Sequence, residues 1–229
     1  MTFDAVTTYA ERHWDSHAAR CVATFNEHWS DVPLFAFTDG ALEMQSPWLA
    51  DFKKRHAGRP TKNYRLDAVR FSHKIAAIEL AYSIGEADVL IWMDADCVTH
   101  ADVDPAWLQS LIGGADLAIL KRRHKYTEGG FMMFRRGECD RLIADMVQLY
   151  TTDVLFTLPE WHDCWALDHT RASMNLKEVS LSGDAEETGH PLVNGPLGER
   201  LDHLKGKRKE FGRSLRADIK RPRNERYWN

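Results

Sequence analysis

Val89-Leu90-Ile91-Trp92-Met93 is the longest uninterrupted apolar run in the chain, and Asp94-Ala95-Asp96 follows it at once. A run without polar alternation offers no face to water, so it predicts a strand over residues 88–93 buried on both sides of a sheet. Around it the patterns alternate. Asp4–Thr8 and Pro33–Phe37 read as strands, the second closing on the turn signal Thr38-Asp39-Gly40, and Asp15–Trp29 between them predicts a helix. Leu66–Ile84 carries Val69, Ile75, Ala76, Ile78, Ala81 and Tyr82 at helical spacing and stops at Gly85. Pro105–Ile112 predicts a short helix, Leu117–Leu120 and Phe131–Arg135 two strands, and Gly137–Tyr150 another helix. Residues 53–62, basic and holding Gly58 and Pro60, predict a mobile loop; beyond 150 the chain becomes irregular.

Strands alternating with helices imply an α/β fold with a mostly parallel central sheet flanked by helices. Ligands of such sheets bind at the carboxyl ends of strands. Two carboxylates emerging there suit a hard divalent cation that would in turn hold phosphate oxygens. The same spacing recurs in Asp102-Val103-Asp104, but no apolar strand precedes it and Pro105 follows, so it reads as a helix-start turn.

Composition bounds the rest. A chain of 229 residues, 44% hydrophobic and 28% charged, is that of a globular protein with a sizeable core. No apolar run is long enough to span a bilayer, the first residues lack a signal-peptide pattern, and Cys21, Cys97, Cys139 and Cys164 are too scattered for a metal or redox motif. A cytoplasmic protein with reduced thiols is expected. The net charge of −4 hides an asymmetry: from His203 onward there are ten Lys and Arg against three Asp and Glu, leaving −11 on residues 1–202.

Three further groups carry chemistry. His203-Leu204-Lys205-Gly206-Lys207-Arg208-Lys209 offers an imidazole to complete a metal shell, a glycine that lets backbone approach a phosphate, and cations to neutralise it; alone it reads as a basic surface stretch. Trp161-His162-Asp163 sets a carboxylate beside amphipathic rings, suited to a hydroxyl-rich ligand or equally to a helix N-cap at Asp163. Glu128-Gly129-Gly130 is either a turn or a close backbone approach to a ligand. His13 and His17, four apart without a third ligand, read as a solvated helix start.

In this order the motifs resemble the glycosyltransferases of the GT-A fold, particularly family eight, the glycogenin and lipopolysaccharide galactosyltransferase group. Ala5-Val6-Thr7-Thr8-Tyr9 resembles the strand that cradles the nucleotide base, and Arg70-Phe71-Ser72-His73-Lys74 the basic start of the helix before the metal motif. Val89–Asp96 is similar to the strand ending in Asp-x-Asp, Glu128-Gly129-Gly130-Phe131 stands where that family has its Asn-x-Gly donor-sugar loop, and His203-x-x-Gly206-x-x-Lys209 matches its C-terminal motif. The resemblance implies a metal-dependent glycosyltransferase domain over residues 1–209, with a basic tail over 210–229. Asp94, Asp96 and His203 would hold Mn²⁺ or Mg²⁺. Thr7, Thr8, Tyr9, Arg70, Lys74, Asp94, Glu128, Gly130, His162, Gly206 and Lys209 would hold a nucleoside-diphosphate sugar, by preference a UDP-sugar. Asp163 would serve as base if the enzyme inverts, or orient the donor sugar if it retains. Glu128 in place of Asn, His162-Asp163-Cys164 in place of Asp-Gln, and no proline-tryptophan after Lys209 depart from the family pattern.

Two other classes compete. Asp94-x-Asp96-x-Val98 also resembles the first motif of haloacid-dehalogenase phosphatases, with Asp94 as nucleophile and Ser180–Asp184 as the later acidic motif; a non-catalytic carbohydrate-binding module would use the aromatic residues alone. In the tail, Phe211, Leu215 and Ile219 recur every four residues before Pro222 and predict one weakly apolar helical face. It would either pack on the acidic body or meet an anionic membrane or nucleic acid.

Overall fold

The computed structural model describes residues 1–59 and 62–229. In chain order the strands are β1 (Phe3–Tyr9), β2 (Leu34–Thr38), β3 (Val89–Met93), β4 (Cys97–Thr99), β5 (Leu117–Leu120), β6 (Glu128–Arg135), β7 (Glu178–Ser180) and β8 (Leu201–His203). The α-helices are α1 (Ala19–His28), α2 (Asp39–Gln45), α3 (Pro47–His56), α4 (Ala68–Ile84), α5 (Pro105–Ile112), α6 (Asp140–Thr151), α7 (Asp163–Arg171), α8 (Pro191–Asn194) and α9 (Arg208–Phe211).

Six strands form the central sheet in the order β2-β1-β3-β6-β5-β7. The β1–β2, β1–β3 and β5–β7 pairings are parallel, as the alternation of elements predicts. β6 runs antiparallel to both β3 and β5, so the sheet is mixed around its centre. Every residue of β3 is buried. Its side chains divide by parity: Leu90 and Trp92 join a core with α3, α4, α6 and α7, while Val89, Ile91 and Met93 face α1, α5 and α8. The result is a three-layer α/β/α body. α4 sits against helices as well as the sheet and buries eight residues around its circumference, so it exceeds a one-sided amphipathic helix.

Several boundaries move for local reasons. The predicted 15–29 helix begins as a π-turn over Trp14–Ala18 before α1. Thr38-Asp39-Gly40 is a helix start, because the Thr38 hydroxyl accepts from Ala41 N at 3.2 Å and caps α2. The expected loop over 53–62 is helical as far as His56, with Pro47 in the first turn of α3; Pro60 lies outside the described residues. Asp104 accepts from Trp107 N at 2.8 Å and caps α5, which bears out the turn read at Asp102–Asp104. Glu128-Gly129-Gly130 is not a turn but the first part of β6.

The tail is not one helix. Gly212, at φ +67, ends α9 in the left-handed region, and the chain then makes only short 3₁₀ turns. Phe211 and Leu215 are exposed, so the predicted apolar face does not form. The segment instead folds back on the body through buried Asp202, which accepts from Ser214 N, Ser214 Oγ and Tyr227 Oη at 2.7, 2.6 and 2.9 Å. Trp228 is buried in the core layer below β3 and donates to Gly198 O at 2.8 Å. Among the described residues no helix is long and apolar enough to cross a membrane.

Candidate active site

β3 carries Asp94 to the carboxyl edge of the sheet, and a tight turn closed by Cys97 N donating to Asp94 O at 2.9 Å swings Asp96 back beside it. β4 then pairs antiparallel with β8, with Cys97 opposite His203. This two-stranded ribbon brings residues a hundred positions apart together: His203 Nε2 lies 3.0 Å from Asp96 Oδ1 and 3.6 Å from Asp94 Oδ2. Asp202 holds the ribbon from below, accepting from His203 N at 2.7 Å. Close approach requires the glycine at 130: a Cβ there would stand 2.6 Å from the His203 ring, while its carbonyl accepts from Asp94 N at 2.9 Å.

One ligand atom from each of Asp94, Asp96 and His203 lies within 4.8 Å of the others. The His203 ring is buried, yet neither nitrogen makes an aligned hydrogen bond among the described residues. Burial opposes charge on this ring, but the carboxylates of Asp96 and Asp94 outweigh it and raise its pKa above the ordinary histidine value. Burial likewise opposes charge on Asp96, where His203 and Lys209 prevail and hold the carboxyl well below the usual range. Two carboxylates and a buried imidazole converging on one point fit a divalent cation of the Mn²⁺ or Mg²⁺ type.

Lys74 projects from α4 into the same cluster. Its ammonium lies 2.8 Å from Asp94 Oδ1 and 2.6 Å from Asp163 Oδ2 and donates to Gly129 O at 2.8 Å. An ammonium has three donors, and all three are engaged. Lys74 is therefore a buried clamp joining β3, β6 and α7. A Cβ at Gly129 would stand 2.7 Å from Cys164 Sγ and 3.1 Å from Lys74 Nζ, so this glycine also permits the packing. Trp92 completes the clamp, donating from Nε1 to Asp94 Oδ1 at 2.9 Å and Gly129 O at 3.0 Å.

Asp163 is buried in the first turn of α7, and Lys74 and His162 hold its carboxyl well below the usual range against the opposing effect of burial. The cap of α7 is His162, not Asp163: Trp165 N donates to His162 Nδ1 at 3.3 Å, and His162 Nε2 donates to Glu160 Oε2 at 2.8 Å. His162, Asp163 and Cys164 are also close enough to share an ion, but the imidazole and carboxylate are already engaged in these bonds. Glu128 is buried between Lys205 at 2.9 Å and Arg122 at 3.3 Å, so both oxygens are occupied; Lys205 is the main cause holding its pKa at about 2 against burial.

Lys209 remains available. It lies 3.0 Å from Asp96 Oδ2, and its side chain is one-third exposed. Gly206 has φ +66 with open space around it, so it serves the turn between β8 and α9. Thr7, Thr8 and Tyr9 end β1 beside β3; Thr8 Oγ1 donates to Phe37 O at 3.0 Å, and the Tyr9 ring lies 5.4 Å from Trp14. Arg70 is exposed in the first turn of α4, its guanidinium 5.5 Å from the Phe71 ring. Trp92 and Glu160 do not stand out in the sequence: Trp92 hides in an apolar run, and Glu160 depends on its pairing with His162. Lys205 and Gly129 lie within motifs read from the sequence, but their pairings with Glu128 and Lys74 are not encoded by spacing.

No family model and no curated protein sequence matches the chain. Among solved structures, the bifunctional glycosyltransferase WbbM is similar over 79% of this chain and 39% of its own length, at 12% identity and TM-score 0.51. The glycosyltransferase GlyE of Streptococcus pneumoniae TIGR4 is similar over 79% of this chain and 45% of its own, at 13% identity and TM-score 0.51. The chain thus spans less than half the length of these two proteins. With the mixed six-stranded sheet, these likenesses show the fold: the GT-A architecture of glycosyltransferases.

Proposed function

We propose that this chain is a metal-dependent glycosyltransferase, moving a sugar from a nucleoside-diphosphate sugar, by preference a UDP-sugar, to an acceptor hydroxyl. The observation that carries the reading is the convergence of Asp94, Asp96 and the buried His203 ring at the carboxyl edge of β3. A divalent ion held by these three would supply Lewis-acid charge to the diphosphate oxygens as the anomeric C–O bond breaks. Lys209 adds a mobile cation for the leaving diphosphate, and exposed Arg70 adds positive charge at the start of α4. Thr7, Thr8 and Tyr9 lie at the end of the strand next to β3, where the base of the nucleotide belongs in this fold.

Lys74 holds Asp94 in place, and Gly129 and Gly130 let the Lys74 and His203 side chains pack closely against β6. Asp163 supports a positioning role better than that of a base. A base needs a free carboxylate within reach of the acceptor proton, whereas this one is buried and committed to Lys74. It holds the Lys74 clamp beside the sugar position. The phosphatase reading loses its second acidic motif, because Asp184 is exposed and pairs with Arg221. The tail supports docking on the body more than an outside anionic partner, since Arg221 pairs with Asp184, Asp218 pairs with Arg208, and Arg223 donates from Nε to Val193 O at 3.0 Å. Four free cysteines, three of them buried, fit a reducing compartment.

The test is a panel of nucleotide sugars incubated with the protein and Mn²⁺ or EDTA, followed by release of the nucleoside diphosphate. Hydrolysis of one UDP-sugar with Mn²⁺ and its loss in EDTA are expected. Release unaffected by EDTA, or none from any donor, contradicts the proposal.

A further inference from the structure

Next to the buried Asp163 the fold brings two basic segments together. The β5–β6 connection reads Lys121-Arg122-Arg123-His124-Lys125-Tyr126, five basic residues ending in a tyrosine, and the segment before α4 holds Lys62, Tyr64 and Arg65. The two segments meet through their tyrosines: the Tyr64 and Tyr126 hydroxyls are 2.7 Å apart. Arg122 braces the connection by donating to Tyr126 O at 2.8 Å, with its guanidinium 4.8 Å from the Tyr126 ring. The Tyr126 ring meets the His162 ring edge-on at 4.4 Å, next to Asp163. On the other side Arg65 lies 3.3 Å from Glu160, whose second oxygen accepts from His162, and Trp161 N donates to Arg65 O at 2.6 Å. These contacts connect the wall to the site.

Hydrogen-bond accounting shows what it presents. Arg65 Nε donates to the Tyr64 oxygen at 3.4 Å. If Tyr126, the more enclosed of the two tyrosines, donates to it as well, both acceptor positions of Tyr64 are filled and its own O–H is left to donate outward. Tyr64 is 44% exposed, and Lys62 and Lys125 on the flanking segments are exposed too. A hydroxyl donor, a guanidinium and two ammonium groups offer donors only. They match a ligand that brings oxygen acceptors and negative charge.

Resting on the glycosyltransferase reading, we infer that the Tyr64–Tyr126 wall is the acceptor subsite and that the acceptor is an anionic saccharide bearing a carboxylate or phosphate near the hydroxyl that is glycosylated. A saccharide fits better than nucleic acid, because a few cations around one hydroxyl donor match one or two anionic groups, whereas nucleic acid is held mainly by many cations set along its phosphate backbone.

The experiment titrates the full chain, saturated with UDP and Mn²⁺, with tetragalacturonate, glucose 1-phosphate, uncharged maltotetraose and a short oligodeoxynucleotide. The same titrations are run on Lys125→Glu, Lys62→Glu and Tyr64→Phe. Binding of at least one of the two anionic saccharides and none of maltotetraose is expected. Which of the two binds separates carboxylate from phosphate recognition. Each lysine reversal should weaken that binding by about tenfold, as should raising ionic strength from about 0.05 to 0.2 M. Tyr64→Phe should weaken it while UDP affinity stays unchanged. Binding of maltotetraose as tight as that of the charged sugars overturns the inference, as does tighter binding of the oligonucleotide or indifference to all three substitutions. If UDP binds and neither anionic sugar does, the subsite fails and the donor reading stands; if the anionic sugars bind and UDP does not, the reverse holds.

Discussion

Asp94-Ala95-Asp96 and Asp102-Val103-Asp104 share their spacing and lie eight residues apart, yet they do unrelated things. The first follows a strand buried on both faces, and its carboxylates meet Lys74, Lys209 and His203 within 3.6 Å. The second follows no strand of its own register: Asp102 is exposed beside His28, and Asp104 caps α5. A pair of carboxylates becomes a site when a rigid element aims both at one point and other elements are brought against it. Here β3 aims them, and the β4–β8 ribbon and α4 supply the partners.

The largest effect that separates the two regions comes from Lys74→Met. It leaves Asp163 and Asp94 without their cation in a buried setting, and removal of one member of a buried pair costs about 3–5 kcal/mol. Urea denaturation should show that loss, and Lys74→Met combined with Asp163→Leu should recover part of it. An unchanged midpoint for Lys74→Met would mean that the clamp contributes no stability. At the second pair the effect is smaller. Asp104→Ala removes a helix cap worth about 1 kcal/mol and should lower the thermal midpoint slightly while leaving UDP affinity intact. Lost UDP affinity in that variant would erase the distinction between the pairs.

A third effect, seen only as a pH dependence, concerns His100, between the two pairs. Its ring stacks on Tyr227 at 4.1 Å and meets Trp228 edge-on, and burial lowers its pKa to about 4. The unfolded chain takes up this proton near pH 6.5 and the folded chain only near 4, so the contribution is intact above about 6.5 and is lost as pH falls towards 4. Stability measured by urea denaturation should therefore decline over that window, and less so in His100→Phe. Equal slopes for both proteins would show that the tail docks without excluding the charged ring.

The sequence carried the scaffold well where periodicity was strong. β5 and α5 fall on their predicted residues, and β3 differs by one. It carried less where glycine masked a strand, as at Glu128-Gly129-Gly130, or where an element was too short for a pattern, as in β8. The clustering of Asp94, Asp96 and His203 was legible through motif order, but the pairing of the residues around them was not. That Lys74 and Glu128 are paired inside the protein follows from long-range contacts with Asp163, Lys205 and Arg122, which no local spacing encodes.

The claim that Asp94 and Asp96 form a cation-dependent nucleotide site is tested most directly by calorimetric titration of UDP into the wild-type chain and Asp96→Asn, each with and without Mn²⁺. The account predicts that Mn²⁺ strengthens UDP binding to the wild type and that Asp96→Asn loses this enhancement while remaining folded by circular dichroism. Mn²⁺-enhanced binding of undiminished strength in folded Asp96→Asn would contradict it.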